Sequence, residues 1–351
     1  MEVYLNGKAF EANPGETVLQ LALRNGIYIP HLCYHEKTGQ AAKCRACVVE
    51  IEGMNGLKTS CNLPVTDGMR VTTNSKKVLN AQRNVVDFSL SSGRHDCMSC
   101  EQNGNCELQD AAYYLGIERA SFQLYDDRYE IDDSSEFIVV DRSKCINCGR
   151  CAAGCNNTVV NEVINIGNRG FGTKIVFDMD LPMGSSSCVQ CGECMQLCPV
   201  GCIIDKRAIG KSRSWELEKV ETVCSYCGVG CKQNILVDRK KNEIIKIEGV
   251  EDSPTNNGML CVKGRFGFDF IQDERRITTP LIKENGKFRE AGWDEAISLI
   301  ADKFSKIKDQ FGSDAIAGLT SAKVTNEENY LFQKFMRREV GTNNVDHCAR
   351  L

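Results

Sequence analysis

No stretch of this sequence comes near the roughly 18 consecutive apolar residues that a membrane-spanning helix needs, so no span is expected. A basic excess is missing as well: 43 Lys and Arg stand against 47 Asp and Glu, for a net charge of -4. Binding to nucleic acid would want a basic face, so no nucleic-acid partner is implied. The start, Met1-Glu2-Val3-Tyr4, has neither the basic region of a signal peptide nor twin arginines, which points to the cytoplasm. Apolar residues at 42% and charged ones at 26% describe a globular chain, and 351 residues are enough for two to four folded units.

What the chain has in abundance is cysteine, 21 residues of it. Disulfide frameworks belong to short secreted domains. In a chain of this length, spacings of two and three residues between cysteines point to bound metal instead, because such spacing lets one loop wrap several corners of a cluster.

Elements can be placed between the cysteines. Met1 to Leu5 and Lys8 to Glu11 read as a hairpin about Asn6-Gly7, a strong turn dipeptide, and Thr17 to Asn25 as a helix with Val18, Leu19, Ala22 and Leu23 on its apolar face. Strands are expected at Cys47 to Glu52 and Met69 to Thr73, and helices over 75 to 92 and from Cys106 to Leu115. The acidic stretch Tyr125 to Glu136 reads as an exposed connection, and the polar stretch Arg207 to Glu218 as an interdomain linker. Strands follow at Asn234 to Asp238 and Glu243 to Glu248. Asp294 to Phe311, with Ile297, Ile300, Phe304, Ile307 and Phe311 as its stripe, and Asn326 to Val340 read as amphipathic helices with their stripes in the core.

Five ligand sets can be counted. Cys33, Cys44, Cys47 and Cys61 are spaced x10, x2 and x13, with small residues that let backbone amides approach a cluster. Cys97, Cys100 and Cys106 stand at x2 and x5 and lack a fourth ligand, for which His95 is the nearest candidate; His31 and His35 are read as structural. Cys145, Cys148, Cys151 and Cys155 follow x2, x2, x3, as do Cys188, Cys191, Cys194 and Cys198 with Pro199, which is the bacterial two-cluster ferredoxin pattern. There the fourth cysteine of each run binds the other cluster, pairing Cys198 with the first three and Cys155 with the second three. Cys224, Cys227, Cys231 and Cys261 at x2, x3, x29 are too asymmetric for a zinc ribbon. Cys202 reads as a small buried hydrophobe, and Cys348 as part of an approach segment rather than a catalytic thiol.

These motifs carry resemblances. The Cys33 set resembles the amino-terminal 2Fe-2S domain shared by the respiratory NADH dehydrogenase large subunit, iron-only hydrogenases and several formate dehydrogenases. In those families the histidine commonly sits four residues before the first cysteine, whereas His95 is two before Cys97. Cys261-Val262-Lys263-Gly264-Arg265-Phe266-Gly267 resembles the amino-terminal cluster domain of molybdopterin oxidoreductases, and this resemblance implies that Lys263 is an electron relay between cluster and pterin. Gly341 to Leu351 resembles the segment of formate dehydrogenases that immediately precedes the cysteine or selenocysteine ligand of molybdenum or tungsten. That implies no catalytic ligand within the chain itself and an end, Leu351, made by reading a selenocysteine codon as a stop.

The resemblance implies an α+β multidomain chain. Its parts are a β-grasp 2Fe-2S ferredoxin domain (1–75), a His/Cys 4Fe-4S domain with one histidine and three cysteines as ligands (76–120), a bacterial two-cluster 4Fe-4S ferredoxin domain (136–207), a molybdopterin oxidoreductase 4Fe-4S domain (218–274) and the start of a molybdopterin-binding catalytic domain (275–351). It further implies one 2Fe-2S cluster, four 4Fe-4S clusters and, in the full-length enzyme, molybdenum or tungsten bis-molybdopterin guanine dinucleotide. A flavin-containing NAD(P)H-linked subunit, a ferredoxin or a hydrogenase is the implied electron partner. The activity implied is formate dehydrogenase; the alternatives are an NADH dehydrogenase large-subunit-like chain and a stand-alone electron-transfer protein. An iron-only hydrogenase is disfavoured, because its catalytic cysteine motifs are missing after Cys198.

Overall fold

The computed structural model describes residues 1–39, 41–122 and 129–348. At the amino terminus Glu2–Leu5 pairs antiparallel with Lys8–Glu11, and Asn6 and Gly7 both take positive φ, at 50° and 82°. That backbone is what a two-residue turn with the right twist demands, and Asn-Gly supplies it. Glu2–Leu5 also pairs in parallel with Arg70–Thr72, which continues antiparallel to Val48–Ile51 and then Lys58–Thr59, completing a five-stranded sheet. Helix Val18–Arg24 closes one face, opened by a reciprocal cap between Thr17 and Gln20. Its buried residues are Val18, Leu19, Leu21 and Ala22, so Leu21 rather than Leu23 completes the inward face of this short helix.

Helices Lys76–Ser91 and Glu107–Tyr114 follow, with Val86, Leu108, Ala111 and Ala112 in the core they share with the next unit. That unit is tied at its ends by strand Ile138–Val140 against Ile203–Asp205. Between them lie two short helices, Arg150–Ala153 and Glu193–Gln196, each launched from a left-handed glycine, Gly149 at φ 83° and Gly192 at φ 73°. The spacer between the two cysteine runs folds as a hairpin, Ile164–Gly167 with Lys174–Phe177, which the sequence pattern did not announce. The acidic connection falls partly outside the described residues, at 125–128. The described part is not simply solvated, since Ser135 is buried and the Asp132 carboxylate accepts from the Met183 amide at 2.8 Å.

The segment expected to be a polar linker is pinned instead. Arg207 donates to Phe266 O and to both carboxylate oxygens of Asp269, and its guanidinium lies against the rings of Phe137, Phe266 and Phe268. Its charge is therefore used at a domain junction rather than left in water. A three-stranded antiparallel sheet follows, Leu217–Val223, Lys232–Asp238 and Glu243–Gly249. The last stretch holds hairpin Leu281–Glu284 with Lys287–Glu290, helix Trp293–Phe311, and a strand-helix-strand unit in which Gly318–Thr320 runs parallel to Val345–His347 around helix Asn326–Phe335.

Most of the two apolar stripes is not core in this structure, although Met336 and Val340 at the end of the second are buried. Ile297, Ile300 and Phe311 are 58%, 52% and 66% exposed, and Tyr330, Leu331 and Phe335 are exposed likewise. Ile316, Met336 and Val340 alone form a small buried cluster there, with Phe304 and Phe332 packed against it. A helix stripe is buried only where a second layer covers it, and the described residues from 275 onward supply too few elements to do so. Among the described residues, no helix is long and apolar enough to cross a membrane.

The units are locked together by buried charge. Lys37, from the first unit, meets Glu193 at 2.7 Å and Glu251 at 2.9 Å, with the Lys37 and Glu193 side chains 3% and 1% exposed. Burial pushes the Glu193 carboxyl up, and Lys37 opposes that shift. Removing one partner leaves an uncompensated buried charge, so Lys37→Met is expected to cost about 3–5 kcal/mol. Glu193→Leu should be destabilising as well, because the buried Arg265, 3.7 Å away, then loses a carboxylate partner, and denaturant unfolding of both variants checks the cluster.

Candidate iron–sulfur centres

All 21 cysteines are free thiols. Among the described residues, no three His, Cys, Asp or Glu side chains stand close enough to share one metal ion. Thiolates that bind separate irons of a cluster stand further apart than the ligands of a single zinc, so wide groups of this kind suit clusters.

In the first group the thiols meet as two pairs, Cys33 with Cys44 and Cys47 with Cys61. Two pairs are what two irons, each holding two thiolates, require. Cys33, Cys47 and Cys61 are buried, and the Cys44 and Ala46 amides each point at a sulfur, Cys33 Sγ and Cys44 Sγ, at 3.5 Å. The Cys33 thiol is held down to about 5, first by the Cys44 thiol and then, against burial, by backbone amides.

Cys97, Cys100 and Cys106 bear on one another electrostatically and line one small cavity together with His95. His95 is half-buried, which pushes its pKa down and favours the neutral ring, and Nε2 lies 3.2 Å from Ser89 O. A ring nitrogen donating to a backbone carbonyl leaves the other as a lone-pair donor, the usual arrangement for a metal-binding histidine. His31 and His35 are instead engaged locally: His31 Nδ1 with Ile29 O, and His35 Nδ1 with the Lys37 amide.

The two ferredoxin-like runs have the same backbone. Asn147 and Gln190 take φ of 50° and 53°, and their amides donate to Cys145 Sγ at 3.4 Å and Cys188 Sγ at 3.3 Å. Left-handed backbone at a non-glycine residue is uncommon and clusters at functional sites. The fourth cysteines are exchanged in space. The charges that bear on Cys151 are those of Cys148, Cys145 and Cys198, ahead of Cys194, while Cys194 answers to Cys191, Cys188 and Cys155 before Cys198. Cys202 is buried as expected, but its thiol also lies against those of Cys145 and Cys198, so it forms part of the wall of the first cradle.

The fifth group gathers Cys224, Cys227 and Cys231 with Cys261, which caps helix Val262–Phe266. A Cβ on Gly264 would stand 3.4 Å from Cys224 Sγ, so the helix lies directly over this thiol. Lys263 is on the same helix with its side chain exposed. Arg265 is fully buried and reaches back into the paired unit, donating to Cys191 O at 2.7 Å and Gln196 Oε1 at 2.8 Å. It crosses Gly192, where a Cβ would collide with Arg265 Cδ at 2.2 Å. Phe266 stacks on Phe137 with centroids 4.8 Å apart. Sequence reasoning quoted Arg265 but gave it no role; no local signal marks a residue whose partners are some 70 positions away.

The chain's last described strand, Val345–His347, ends beside Ser321, whose hydroxyl is 3.7 Å from Cys348 Sγ. A cleft of ≈ 440 Å³ opens there at the carboxyl ends of the two parallel strands, where α/β folds bind ligands, lined by Thr320, Ser321, Asn329 and Asp346 among others. Lys323 lies over the Tyr226 ring at 5.6 Å, which sets this cleft next to the Cys224 loop. The described residues thus fit one wall of a pterin site, with polar side chains at strand ends and a cysteine cradle adjoining.

Family models match the chain in series. They describe a 2Fe-2S iron-sulfur cluster binding domain (1–76), an NADH-ubiquinone oxidoreductase-G iron-sulfur binding region (82–121), a 4Fe-4S dicluster domain (144–202), a molybdopterin oxidoreductase Fe4S4 domain (217–273) and a molybdopterin oxidoreductase (276–351). YjgC of Bacillus subtilis, named a probable oxidoreductase, is 36% identical over 99% of this chain and 39% of its own length. A Staphylococcus aureus protein provisionally named a formate dehydrogenase is 34% identical over the same shares. The chain therefore spans about two fifths of the length of these relatives. Among solved structures, a chain of an NAD+-reducing [NiFe]-hydrogenase is 31% identical, with a TM-score of 0.56 over 60% of this chain and 89% of that one. Four iron–sulfur domain models and the start of a molybdopterin oxidoreductase domain thus fall along this chain in that order, and over its length it is similar to proteins named as oxidoreductases and provisionally as formate dehydrogenases.

Proposed function

We propose that this chain is the iron–sulfur electron-transfer portion of a cytoplasmic formate dehydrogenase, relaying electrons through about five clusters. The observation that carries the reading is the docking of the Cys261 helix. Through Arg265 and Phe266 it fastens the Cys224 cradle to the paired cradles, while Lys323, over the Tyr226 ring, sets the segment after Thr320 against the Cys224 loop. A cluster at that point would stand between a reacting centre and a wire. The relatives provisionally named formate dehydrogenases, and the run Gly341 to Leu351, favour formate as the substrate.

A bis-pterin molybdenum or tungsten centre, when bound, supplies the two-electron chemistry that interconverts formate and carbon dioxide. Iron–sulfur clusters accept electrons singly, and the chain's own residues divide that flow. Cys224, Cys227, Cys231 and Cys261 would hold the receiving 4Fe-4S cluster, and Lys263, exposed on the helix that follows Cys261, would be the relay between it and the pterin. Cys145, Cys148, Cys151 and Cys198, and Cys188, Cys191, Cys194 and Cys155, would hold the next two. Cys97, Cys100 and Cys106 with His95 would hold a fourth, and Cys33, Cys44, Cys47 and Cys61 the 2Fe-2S cluster of a β-grasp domain. The likeness to an NAD+-reducing hydrogenase chain favours an NAD-linked subunit as the electron partner, ahead of a ferredoxin.

Two experiments test this. Formate added anaerobically to the native enzyme should reduce its clusters within turnover time and pterin should be extractable; absence of both supports the stand-alone electron-transfer reading instead. His95→Ala should remove or convert one 4Fe-4S signal in the EPR spectrum with a matching loss of iron, whereas an unchanged complement would rule His95 out as a ligand.

A further inference from the structure

Arg150 sits between two cysteines of the first ferredoxin-like run, yet its side chain serves three units. It is 2% exposed. Nη1 and Nη2 grip both oxygens of Glu107 at 2.5 and 2.6 Å, and Nη2 also faces His31 O at 3.5 Å. Glu107 directly follows Cys106 of the His95 group, and His31 is two residues from Cys33. Nε is buried without a hydrogen-bond partner. Arg150 therefore stands two residues after Cys148 of one cradle and reaches, at His31, the segment that carries Cys33 of another.

The repeat supplies an internal comparison. Position 193 of the second run is equivalent to 150, follows the same left-handed glycine and is also buried, yet it carries a glutamate that faces Lys37. The second run thus meets its buried cations, Lys37 and Arg265, from other segments, whereas the first carries its own in Arg150.

Resting on the cluster reading above, we propose that Arg150 is a shared redox-positioning residue, one buried guanidinium that raises the reduction potentials of the Cys33 and Cys148 clusters together. The reason is electrostatic. A cluster gains one negative charge on reduction, and a fixed cation in a poorly screened interior favours that state. Because the same cation faces both clusters, it holds their potentials in step, which keeps an electron from being stranded on either. Glu107, largely neutralising the guanidinium, sets how much of its charge the clusters feel.

The test is an EPR-monitored redox titration of the full chain, loaded with iron and sulfide, in wild type, Arg150→Gln, Arg150→Lys and Glu107→Gln. Iron and sulfide per chain are measured on each, so a failure of the cluster reading shows as missing metal and is separate from a failure of this proposal. Arg150→Gln should move the 2Fe-2S midpoint and one 4Fe-4S midpoint to lower potential; Glu107→Gln should move both upward, and Arg150→Lys should stay near wild type. The Cys224 cluster should not move in any variant. Shifts of one sign in Arg150→Gln and Glu107→Gln, or a 2Fe-2S midpoint unmoved in Glu107→Gln, would overturn the proposal. If Arg150→Gln does not fold, Glu107→Gln, which keeps the cation, decides alone.

Discussion

Several thiolates cannot stand charged side by side in a buried space without compensation, and most of this chain is arranged around groups of thiols. Burial pushes the Cys148 thiol up to about 12, and the Cys151 and Cys194 thiols are driven up by the same burial and by their neighbours. Bound iron removes that conflict, because coordination takes thiolates and spreads their charge. The surrounding structure supplies the rest of the compensation: amides of Cys44, Ala46, Asn147 and Gln190 aimed at sulfur, and the buried cations Lys37, Arg150 and Arg265 beside the loops.

Those cations also explain how separate small domains form one conduit. Each sits where two or three units meet, so a contact that holds the domains together also lies near a cradle. Fastening and tuning thus fall to the same side chains. A relay needs both, since electron transfer depends on clusters staying in place and on potentials staying ordered.

Local chemistry was legible in the sequence wherever one segment determines it. Asn6-Gly7 turns as its residues require, and the helices begin at Thr17 and Ser75, whose side chains cap them. The crossed grouping of Cys155 and Cys198 follows a spacing pattern that itself encodes a repeat. Features that depend on distant partners were not legible. Arg207 to Glu218 looks like a linker because its residues are polar, yet Arg207 is held by Phe137, Phe266 and Asp269 from both sides of a junction. The stripe of Trp293–Phe311 has helical periodicity, but periodicity says only which face is apolar and not whether anything covers it. Cys202, counted as a spare hydrophobe, touches two members of a cradle because the chain turns back after Pro199.

The central claim, that these thiol groups with His95 are cradles for one 2Fe-2S and four 4Fe-4S clusters, is tested most directly by metal analysis. The chain, produced and reconstituted without oxygen, should contain about 18 iron atoms and an equal amount of acid-labile sulfide, with a 2Fe-2S Mössbauer component beside the 4Fe-4S ones. Stoichiometric zinc with little sulfide, or an iron content accounting for only the two ferredoxin-like clusters, would contradict it.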